Sequence, residues 1–346
     1  MEKTFRLKKG EALLLTDETQ RRYFTGFESS FGAVLITAEG RSFYTDKRYL
    51  SAAKAELREK GWNVEEFVSY EAIGRRAAAE GAKSALIDYS HTTMTEYAAL
   101  KGMKLRFKDA KRRLESLFAV KDRREIACIA RACDIAEKAF YKTLSFVKEG
   151  ITEKELANAL EANMLALGAD KTSFDTIVAF GANSAVPHHK TGNDRLKRDM
   201  PVLVDFGCMA DGYCSDCTRT FFFGEPSDEF VDVYAAVLEA NLEAEKKIRT
   251  GTELAAADKI ARDVLEKKGY KEAFTHTLGH GIGTRIHEYP TLGPKSAGKL
   301  KSGMVFSIEP GVYFDGKYGV RIEDTVVLKG GVKRLFKDEK NLILID

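Results

Sequence analysis

Residues 203–221, LVDFGCMADGYCSDCTRTF, decide the fold of this chain, because they predict a hairpin around the Asp211-Gly212 dipeptide. Asp-Gly between two apolar runs is one of the strongest short-range signals for a tight turn. A second hairpin of the same kind is predicted around Asp315-Gly316. Each predicted hairpin has a carboxylate in both strands: Asp205 and Asp216 in the first, and Glu309 and Glu323 in the second.

The first hairpin also contains three of the five cysteines of the chain, Cys208, Cys214 and Cys217. A thiolate zinc site normally needs a fourth soft ligand, often from a second Cys-x-x-Cys motif, and none follows. Strand alternation over residues 214–218 also predicts that Cys217 faces away from Cys214 and Asp216. We therefore predict that these cysteines pack as small hydrophobic residues, with a thiolate cluster as the competing hypothesis.

The four carboxylates favour a different kind of metal site. A single acid at a strand end is often held by backbone donors, but four acids on two hairpins repel one another unless positive charge compensates them. His280, in segment 275–283 (THTLGHGIG), is the candidate fifth ligand, and a surface histidine in a glycine-rich loop is the alternative. Four oxygen ligands and one nitrogen ligand favour a pair of Mn²⁺ or Co²⁺ ions, with Zn²⁺ and Fe²⁺ as alternatives.

The rest of the chain predicts two domains. In residues 1–120, short apolar strands alternate with helical periodicity, which is typical of a small α/β domain. In residues 121–346, amphipathic helices are predicted beside a mainly antiparallel sheet, an α+β arrangement. The capping-box sequence at 152–155 (TEKE) marks the start of one of these helices. The predicted strands of the larger domain are 201–206, 218–223, 304–309 and 320–328.

Composition excludes several classes of protein. The chain has 346 residues and a net charge of +3 from 55 basic and 52 acidic side chains, so no nucleic-acid partner is indicated. The first six residues contain no apolar run of the kind found in signal peptides, and no segment is apolar enough to predict a membrane span. We therefore predict a cytoplasmic protein with reduced cysteines. The charged segments 108–114 and 121–125 are expected to form a solvated connecting surface, with a basic docking patch as the alternative.

Five short motifs, taken in order, resemble the ligand signature of the pita-bread metallopeptidases, a family that includes methionine aminopeptidase, aminopeptidase P and prolidase. The motifs are 204–207 (VDFG), 213–220 (YCSDCTRT), 279–283 (GHGIG), 307–311 (SIEPG) and 321–325 (RIEDT). Two further segments, 183–188 (NSAVPH) and 286–290 (IHEYP), are similar to the proline-specific branch of that family. Segments 22–27 (RYFTGF) and 43–49 (FYTDKRY) resemble the creatinase-type N-terminal domain.

The resemblance implies a role for each matched residue. Asp205 would hold one ion, Asp216 and Glu323 would bridge both ions, and His280 and Glu309 would complete the second. A water molecule activated by the ions would be the nucleophile, and Glu309 would pass its proton to the leaving nitrogen.

His188 and His287 would contact the scissile peptide and stabilise the tetrahedral intermediate. Arg321 is expected to reach the cleft as a further substrate contact. His189 and His276 lie next to these positions, and we expect them behind the site or on the surface. The resemblance also implies a homodimer.

The predicted function is the removal of an N-terminal residue from peptides that have proline in the second position. A strict Xaa-Pro dipeptidase is the alternative within this class, and a non-catalytic peptide-binding module is the alternative outside it. All five ligand positions are filled, which favours the enzyme. The segment 288–301 contains only lysines as cations, Lys295, Lys299 and Lys301. The resemblance implies that a dipeptidase of this family often has an arginine in this segment to bind the substrate carboxylate, and its absence favours longer peptides.

Overall fold

The computed structural model describes residues 5–346, and the chain forms two compact units that divide between Leu117 and Phe118. From residue 5 onward, the first unit contains six strands: β1 Glu11–Leu15, β2 Ala33–Ile36, β3 Arg41–Thr45, β4 Asn63–Glu66, β5 Ser84–Ile87 and β6 Arg106–Asp109. Its helices are α1 Glu18–Thr25, α2 Lys47–Leu57, α3 Tyr70–Ala79, α4 Met94–Leu100 and α5 Lys111–Ala119, the last of which crosses the division.

The six strands form one mixed sheet in the order β4-β3-β2-β1-β5-β6. The central strand β1 pairs antiparallel with β2 and parallel with β5, and all five of its residues are buried. A strand that is buried on both faces reads as a continuous apolar run, which is why ALLL was recognisable in the sequence. The smaller α/β domain is therefore confirmed.

The second unit contains four long helices: α6 Arg123–Thr143, α7 Glu153–Ala166, α8 Asp228–Lys247 and α9 Leu254–Lys267. The first three begin where a side-chain oxygen accepts a hydrogen bond from the helix backbone, at Asp122, Thr152 and Ser227. These bonds satisfy amide groups that have no partner inside the helix. The capping box predicted at Thr152 is present, with Glu155 as its second member.

Fourteen strands of this unit form two principal sheets and two small ones. The strands are β7 Lys171–Thr172, β8 Ile177–Phe180, β9 Met200–Phe206, β10 Cys208–Ala210, β11 Tyr213–Cys214, β12 Cys217–Phe223, β13 Gly279–Gly281, β14 Glu288–Leu292, β15 Val305–Ile308, β16 Gly311–Phe314, β17 Tyr318–Arg321, β18 Asp324–Lys329, β19 Gly331–Arg334 and β20 Leu344–Ile345. The principal sheets have the orders β20-β12-β9-β8 and β14-β13-β15-β18-β19, and only the β12–β20 pair is parallel. This is the predicted α+β arrangement.

Both predicted hairpins are present, and in each of them both strands are interrupted. In the first, β9 pairs with β12 and β10 pairs with β11 around the Asp211-Gly212 turn, where both residues have positive φ. In the second, β15 pairs with β18 and β16 pairs with β17 around Asp315–Lys317. Each hairpin therefore has an outer strand pair and an inner strand pair with a break between them.

Three of the four acids lie at these breaks, and only Asp205 lies inside a strand, β9, which corrects the prediction. Asp216 lies between β11 and β12, Glu309 between β15 and β16, and Glu323 between β17 and β18, so none of the three is inside a strand. The predicted strand 320–328 is consequently two strands. Alternation over 214–218 also fails, because Ser215 and Asp216 are not in a strand, and Cys214 and Cys217 are both buried.

The cysteines of the first hairpin belong to the hydrophobic core. Cys208, Cys214 and Cys217 lie in a cluster with residues of α6, α7 and the first principal sheet, including Phe140 and Phe206. These two rings stack with their centroids 5.1 Å apart. Burial raises the pKa of the Cys208 thiol to about 11, so it remains a thiol at neutral pH. The cysteines therefore pack as small hydrophobic residues, as predicted.

One part of the charged connecting segment is not solvated. The side chain of Lys121 is 1% exposed, and its Nζ lies 2.9 Å from Glu288 Oε2. Lys108 and Arg113 both contact the buried carboxylate of Glu11. The expectation of a solvated surface was wrong for Lys121, which is buried against an acid distant in sequence, whereas Lys108 is exposed and Arg113 is half-buried. Within the described residues, no helix has the length and apolarity needed to cross a membrane.

Candidate metal centre

The two hairpins bring the predicted ligands together. Donor atoms of Asp216, His280 and Glu323 all lie within 4.8 Å of one another. His280 Nε2 is 3.4 Å from Asp216 Oδ2 and also 3.4 Å from Glu309 Oε1. Residues from β13 and from three hairpin breaks therefore converge on one buried volume, although they are separated by up to 107 positions in the sequence.

His280 is oriented for ligation through Nε2. Its Nδ1 lies 3.3 Å from the carbonyl oxygen of Gly281, so Nδ1–H is the donor and Nε2 keeps its lone pair toward the carboxylates. The backbone N–H of His280 donates to Ser307 Oγ, which in turn donates to Glu309 Oε1 at 2.9 Å. Gly279 is required beside it, because a Cβ there would collide with the Ser307 carbonyl oxygen.

Asp205 occupies the edge of the same volume. It lies in β9 opposite Thr218 of β12, and Arg321 Nη2 donates to its Oδ2 at 2.8 Å. Its second oxygen, Oδ1, is buried and has no hydrogen-bond partner. A buried carboxylate oxygen without a partner is costly, and a cation would satisfy it.

Hydroxyl groups fix the remaining acids, and each comes from the opposite hairpin. Thr218 Oγ1 donates to Glu323 Oε2 at 2.7 Å. Thr325 Oγ1 accepts from the backbone N–H of Asp216 and donates to its carbonyl oxygen, at 3.1 and 2.7 Å. Each threonine lies two residues after an acid in its own hairpin. Each hairpin therefore supplies the hydroxyl group that fixes the acidic residue of the other.

Burial and mutual repulsion disfavour the charged carboxylates. Burial, followed by the charges of neighbouring acids, raises the pKa of Asp216 and Glu323 well above the usual range. Burial also raises the pKa of Glu309 from 4.5 to about 7. Burial lowers the pKa of His280, so the imidazole is neutral. Arg321 alone is too little positive charge for four acids, and divalent cations would supply the remainder.

The residues therefore fit the metal ions that the sequence predicts. The donors are carboxylate oxygens and one neutral imidazole nitrogen, they converge within metal-ligand range, and one carboxylate oxygen is without a partner. This donor set suits hard or intermediate divalent cations.

The two predicted substrate histidines are exposed beside these acids. The ring of His287 lies 4.3 Å from that of His280 between centroids. Partial desolvation by the surrounding side chains, followed by the neighbouring histidines, lowers the pKa of His287 to about 4, so it is a neutral N–H donor. The carbonyl oxygen of Pro187, the residue before His188, accepts from Arg321 Nη1 at 3.3 Å, so the backbone beside His188 contacts the same arginine that holds Asp205. Both side chains can therefore contact a molecule that enters the site.

Arg321 does not point freely into the cleft. Its Nε donates to Thr218 Oγ1 at 3.0 Å, and its Nη1 donates to Tyr313 Oη at 2.8 Å, in addition to the Asp205 contact. The residue is 3% exposed. These contacts place it behind Asp205.

Sequence reasoning missed Tyr313 and underestimated His276. His276 Nδ1 donates to the Thr277 carbonyl oxygen, so its Nε2 accepts from Tyr313 Oη at 2.9 Å. Burial lowers the pKa of His276 to about 3, which keeps it neutral. A chain of contacts thus runs from His276 through Tyr313 and Arg321 to Asp205. The signal was weak, because Tyr313 reads as an ordinary apolar strand residue.

His189 lies behind the site, and its Nε2 is 2.8 Å from Glu153 Oε2. The fully buried Glu153 was also missed, because an acid in the first turn of a helix is normally exposed.

With this geometry established, comparison with known proteins identifies the class. Residues 127–330 match the model of metallopeptidase family M24, and residues 2–117 match that of the creatinase/prolidase N-terminal domain. The chain belongs to metallopeptidase family M24, and it has the pita-bread fold with the creatinase-like domain that the sequence predicts.

Several relatives resemble the chain over nearly its full length. An Xaa-Pro dipeptidase of Pyrococcus horikoshii is 35% identical over 343 residues, which are 96% of this chain and 94% of the relative. The structure of an Xaa-Pro dipeptidase from Bacillus anthracis has a TM-score of 0.92 and 36% identity, with 96% and 95% of the two chains covered. An X-Pro aminopeptidase from Thermotoga maritima has a TM-score of 0.90 and 34% identity, with 97% of each chain covered.

Proposed function

We propose that this M24 metallopeptidase hydrolyses the bond between an N-terminal residue and a following proline, with two divalent ions per chain. The observation that carries the proposal is the convergence of buried acids and His280 with exposed His188 and His287 beside them. Relatives with high coverage are named as Xaa-Pro peptidases, which supports proline as the second residue.

Five residues would hold the ions: Asp205, Asp216, His280, Glu309 and Glu323. Bound divalent ions would acidify a water molecule and polarise the scissile carbonyl group. Mn²⁺ or Co²⁺ is proposed from the ligand set. The pair of ions, their identity, a homodimer and a cytoplasmic location are proposals that rest on the sequence.

The side chains of this chain perform the remaining steps. Glu309 would accept the proton of the attacking water and deliver it to the proline nitrogen as the peptide bond breaks. His188 and His287 would donate hydrogen bonds to the peptide carbonyl oxygen as negative charge develops on it. Arg321, which the sequence predicts as a substrate contact, is better placed to orient Asp205, because its donors are directed to Asp205, Thr218 and Tyr313.

We favour an aminopeptidase that accepts longer peptides over a strict dipeptidase. A dipeptidase needs a cation to bind the carboxylate that directly follows proline. Lys295, Lys299 and Lys301 are all exposed, and Arg321 is buried behind Asp205. The named relatives include both types, so the strict dipeptidase remains the second candidate.

One panel of peptides tests both levels of the proposal. We would compare kcat/KM for an Xaa-Pro dipeptide, the same sequence extended by two residues, and a matched peptide with alanine replacing proline. Cleavage of both proline peptides, with the extended one at least as good, is expected. Cleavage of the dipeptide alone makes the enzyme a prolidase, and equal cleavage of the alanine peptide overturns the proline specificity.

A further inference from the structure

The carboxylate of Glu153 is fully buried and receives four hydrogen bonds. Its exposure is 0%, although it lies in the first turn of α7. The four donors are Phe180 N and Asn183 Nδ2 on Oε1, at 2.9 and 2.8 Å, and His189 Nε2 and Gly192 N on Oε2, at 2.8 and 2.9 Å. His189 must carry its proton on Nε2, because a carboxylate can only accept.

All four donors belong to one segment, residues 180–192. Phe180 and Gly192 lie at its two ends, and Asn183 and His189 lie between them. His188 is in the same segment and is exposed, next to a histidine whose side chain is only 15% exposed. Glu153 thus holds the inner side of a loop whose outer side presents His188.

Starting the helix does not explain this arrangement. The capping box of α7 is formed by Thr152 and Glu155, and Glu155 accepts from the Thr152 backbone N–H at 2.8 Å. Glu153 takes no part in that box. Burying a carboxylate costs free energy unless donors surround it, and here the loop provides all four. The arrangement therefore serves the loop and not the helix.

We propose that Glu153 is the positioning residue for His188: it fixes segment 180–192 so that the His188 imidazole reaches the scissile carbonyl group. The catalytic part of this inference rests on the proposed function, because His188 is assigned there. A misplacement of about 1 Å in such a donor costs as much as 100-fold in rate.

The four hydrogen bonds from segment 180–192 to Glu153 are called the clamp below. Replacement of Glu153 by glutamine tests the clamp with almost no change in side-chain shape. All four partners are donors, whereas a glutamine amide has one accepting oxygen and one NH₂ group. Whichever way the amide lies, its NH₂ group faces one backbone N–H, that of Phe180 or that of Gly192, and this hydrogen bond is lost because a backbone N–H cannot accept. Glu155→Gln is the matched control, because it removes the same charge from the same helix turn without touching the loop.

The first experiment measures amide hydrogen exchange of the purified protein. In Glu153→Gln, one of the two backbone amides, that of Phe180 or that of Gly192, should exchange at least about tenfold faster, because it faces the NH₂ group and loses its acceptor. In Glu155→Gln, those two amides should keep the wild-type rate. Wild-type exchange rates in Glu153→Gln would overturn the clamp.

The second experiment asks whether Glu153 acts through His188. His188→Ala should lower kcat by about 10²- to 10³-fold with bound metal unchanged, the scale for one transition-state donor. Glu153→Gln should lower kcat by about 10- to 100-fold, with KM and metal content within a few-fold of wild type. In the His188→Ala background, Glu153→Gln should have almost no further effect, because interacting residues are not additive. The same loss in both backgrounds would overturn the positioning role.

A second variant covers the case in which Glu153→Gln does not fold. His189→Ala removes one donor, leaves the other three in place, and should lower kcat by about fivefold, again only when His188 is present. A wild-type protein without Xaa-Pro activity would overturn the proposed function and the catalytic role of the clamp. The exchange measurement would still decide whether Glu153 holds the loop.

Discussion

The two broken hairpins of the second unit resemble each other in backbone but differ in what holds them. Asn241 of α8 is fully buried, and its Nδ2 donates to the carbonyl oxygens of Ile308 and Ile322, at 2.9 and 3.0 Å. These carbonyl groups immediately precede Glu309 and Glu323, so one amide fixes both breaks of the second hairpin. In the first hairpin, the Asp216 break is fixed by Thr325 from the opposite hairpin. A repeated backbone therefore does not imply repeated support.

The difference extends to the charged groups behind the second hairpin. Lys340 Nζ lies 2.8 Å from Asp324 Oδ2 and 2.9 Å from Glu245 Oε1, and its side chain is 3% exposed. Arg219 contacts Asp324 and Asp338 from the other side. The neighbouring charges of Arg219 and Lys340 lower the pKa of Asp324 to about 2 despite its burial. The back of this hairpin is thus neutralised by protein cations, whereas its front faces the candidate metal site, where four acids from both hairpins share one arginine.

The largest effect on activity is expected for Asp216 and Glu323, the acids at the break in the second strand of each hairpin. Asp216→Asn and Glu323→Gln should each lower activity by more than about 100-fold and reduce bound metal, because removing a ligand should cost more than removing an outer partner. Cys214→Ala, two positions before Asp216 in the first hairpin, should retain metal and most of the activity. The checks are kcat/KM and metal analysis. The thiolate hypothesis predicts the reverse, with activity lost on changing Cys214 or Cys217.

The unequal support of the hairpins predicts unequal stability effects. Asn241→Leu should lower the free energy of unfolding by about 2–5 kcal/mol, because two buried carbonyl groups lose their partner and the Lys340 ammonium group loses one of its acceptors. Thr325→Val should cost less, about 1–3 kcal/mol. The control is Leu242→Ala on the same helix, which should stay within about 0.5 kcal/mol. Urea denaturation followed by circular dichroism measures all three. An equal or larger cost for Thr325→Val would contradict the comparison.

The pH dependence of the stability of the metal-free protein tests whether the acids of the candidate metal site lack compensating charge. A carboxyl group whose pKa is raised on folding stabilises the fold below its unfolded pKa, and that stability is lost as pH rises through the folded value. For Glu309 the window runs from 4.5 to about 7, and Asp216 and Glu323 act in the same direction. The lowered pKa values of His276 and His287 act oppositely, but only below their ordinary value of 6.5.

Above pH 6.5, therefore, the stability contributed by these carboxyl groups and histidines changes with pH only through the carboxyl groups. The Tm of chelator-treated protein should fall from pH 6.5 to pH 8, and added Mn²⁺ should reverse the fall, with the largest gain at the highest pH. Glu155→Gln should follow the wild-type curve, because Glu155 lies outside this group. A Tm that rises over this range without metal would show that the acids are already compensated.

The smallest effect is expected for the contact chain behind Asp205. Tyr313→Phe removes the hydroxyl group that links His276 to Arg321, and it should lower metal affinity by about 10-fold, the low end for loss of an outer partner. Phe314→Leu on the adjacent strand position is a suitable control. Isothermal titration with Mn²⁺ measures the affinity. No change in Tyr313→Phe would show that Arg321 holds Asp205 without this chain.

The sequence was most informative where chemistry is local. The Asp211-Gly212 turn and the Thr152 capping box depend on neighbouring residues, so their signals survive in a single chain. The acids of the hairpins were found because four carboxylates on buried strands are unusual. The break before Glu323 was not found, because Val320, Ile322 and Val326 are all buried and read as one continuous strand.

The supporting residues were harder to predict, because their partners are distant in sequence. Asn241 lies 67 and 81 positions from the carbonyl groups it contacts. Lys121 lies 167 positions from Glu288, and nothing near it indicates that its charge is compensated. Glu153 stands in a helix turn where acids are normally solvated. In each case the polar residue looks ordinary until the fold brings its partners to it.

The central claim is that the acids and His280 hold two divalent ions that the reaction requires. The direct measurement is a titration of chelator-treated protein with Mn²⁺, in which bound ions per chain and hydrolysis of an Xaa-Pro peptide are recorded together. We predict two ions per chain, with activity that rises as they bind, and neither result in Asp216→Asn. Full hydrolysis by the metal-free protein would contradict the claim.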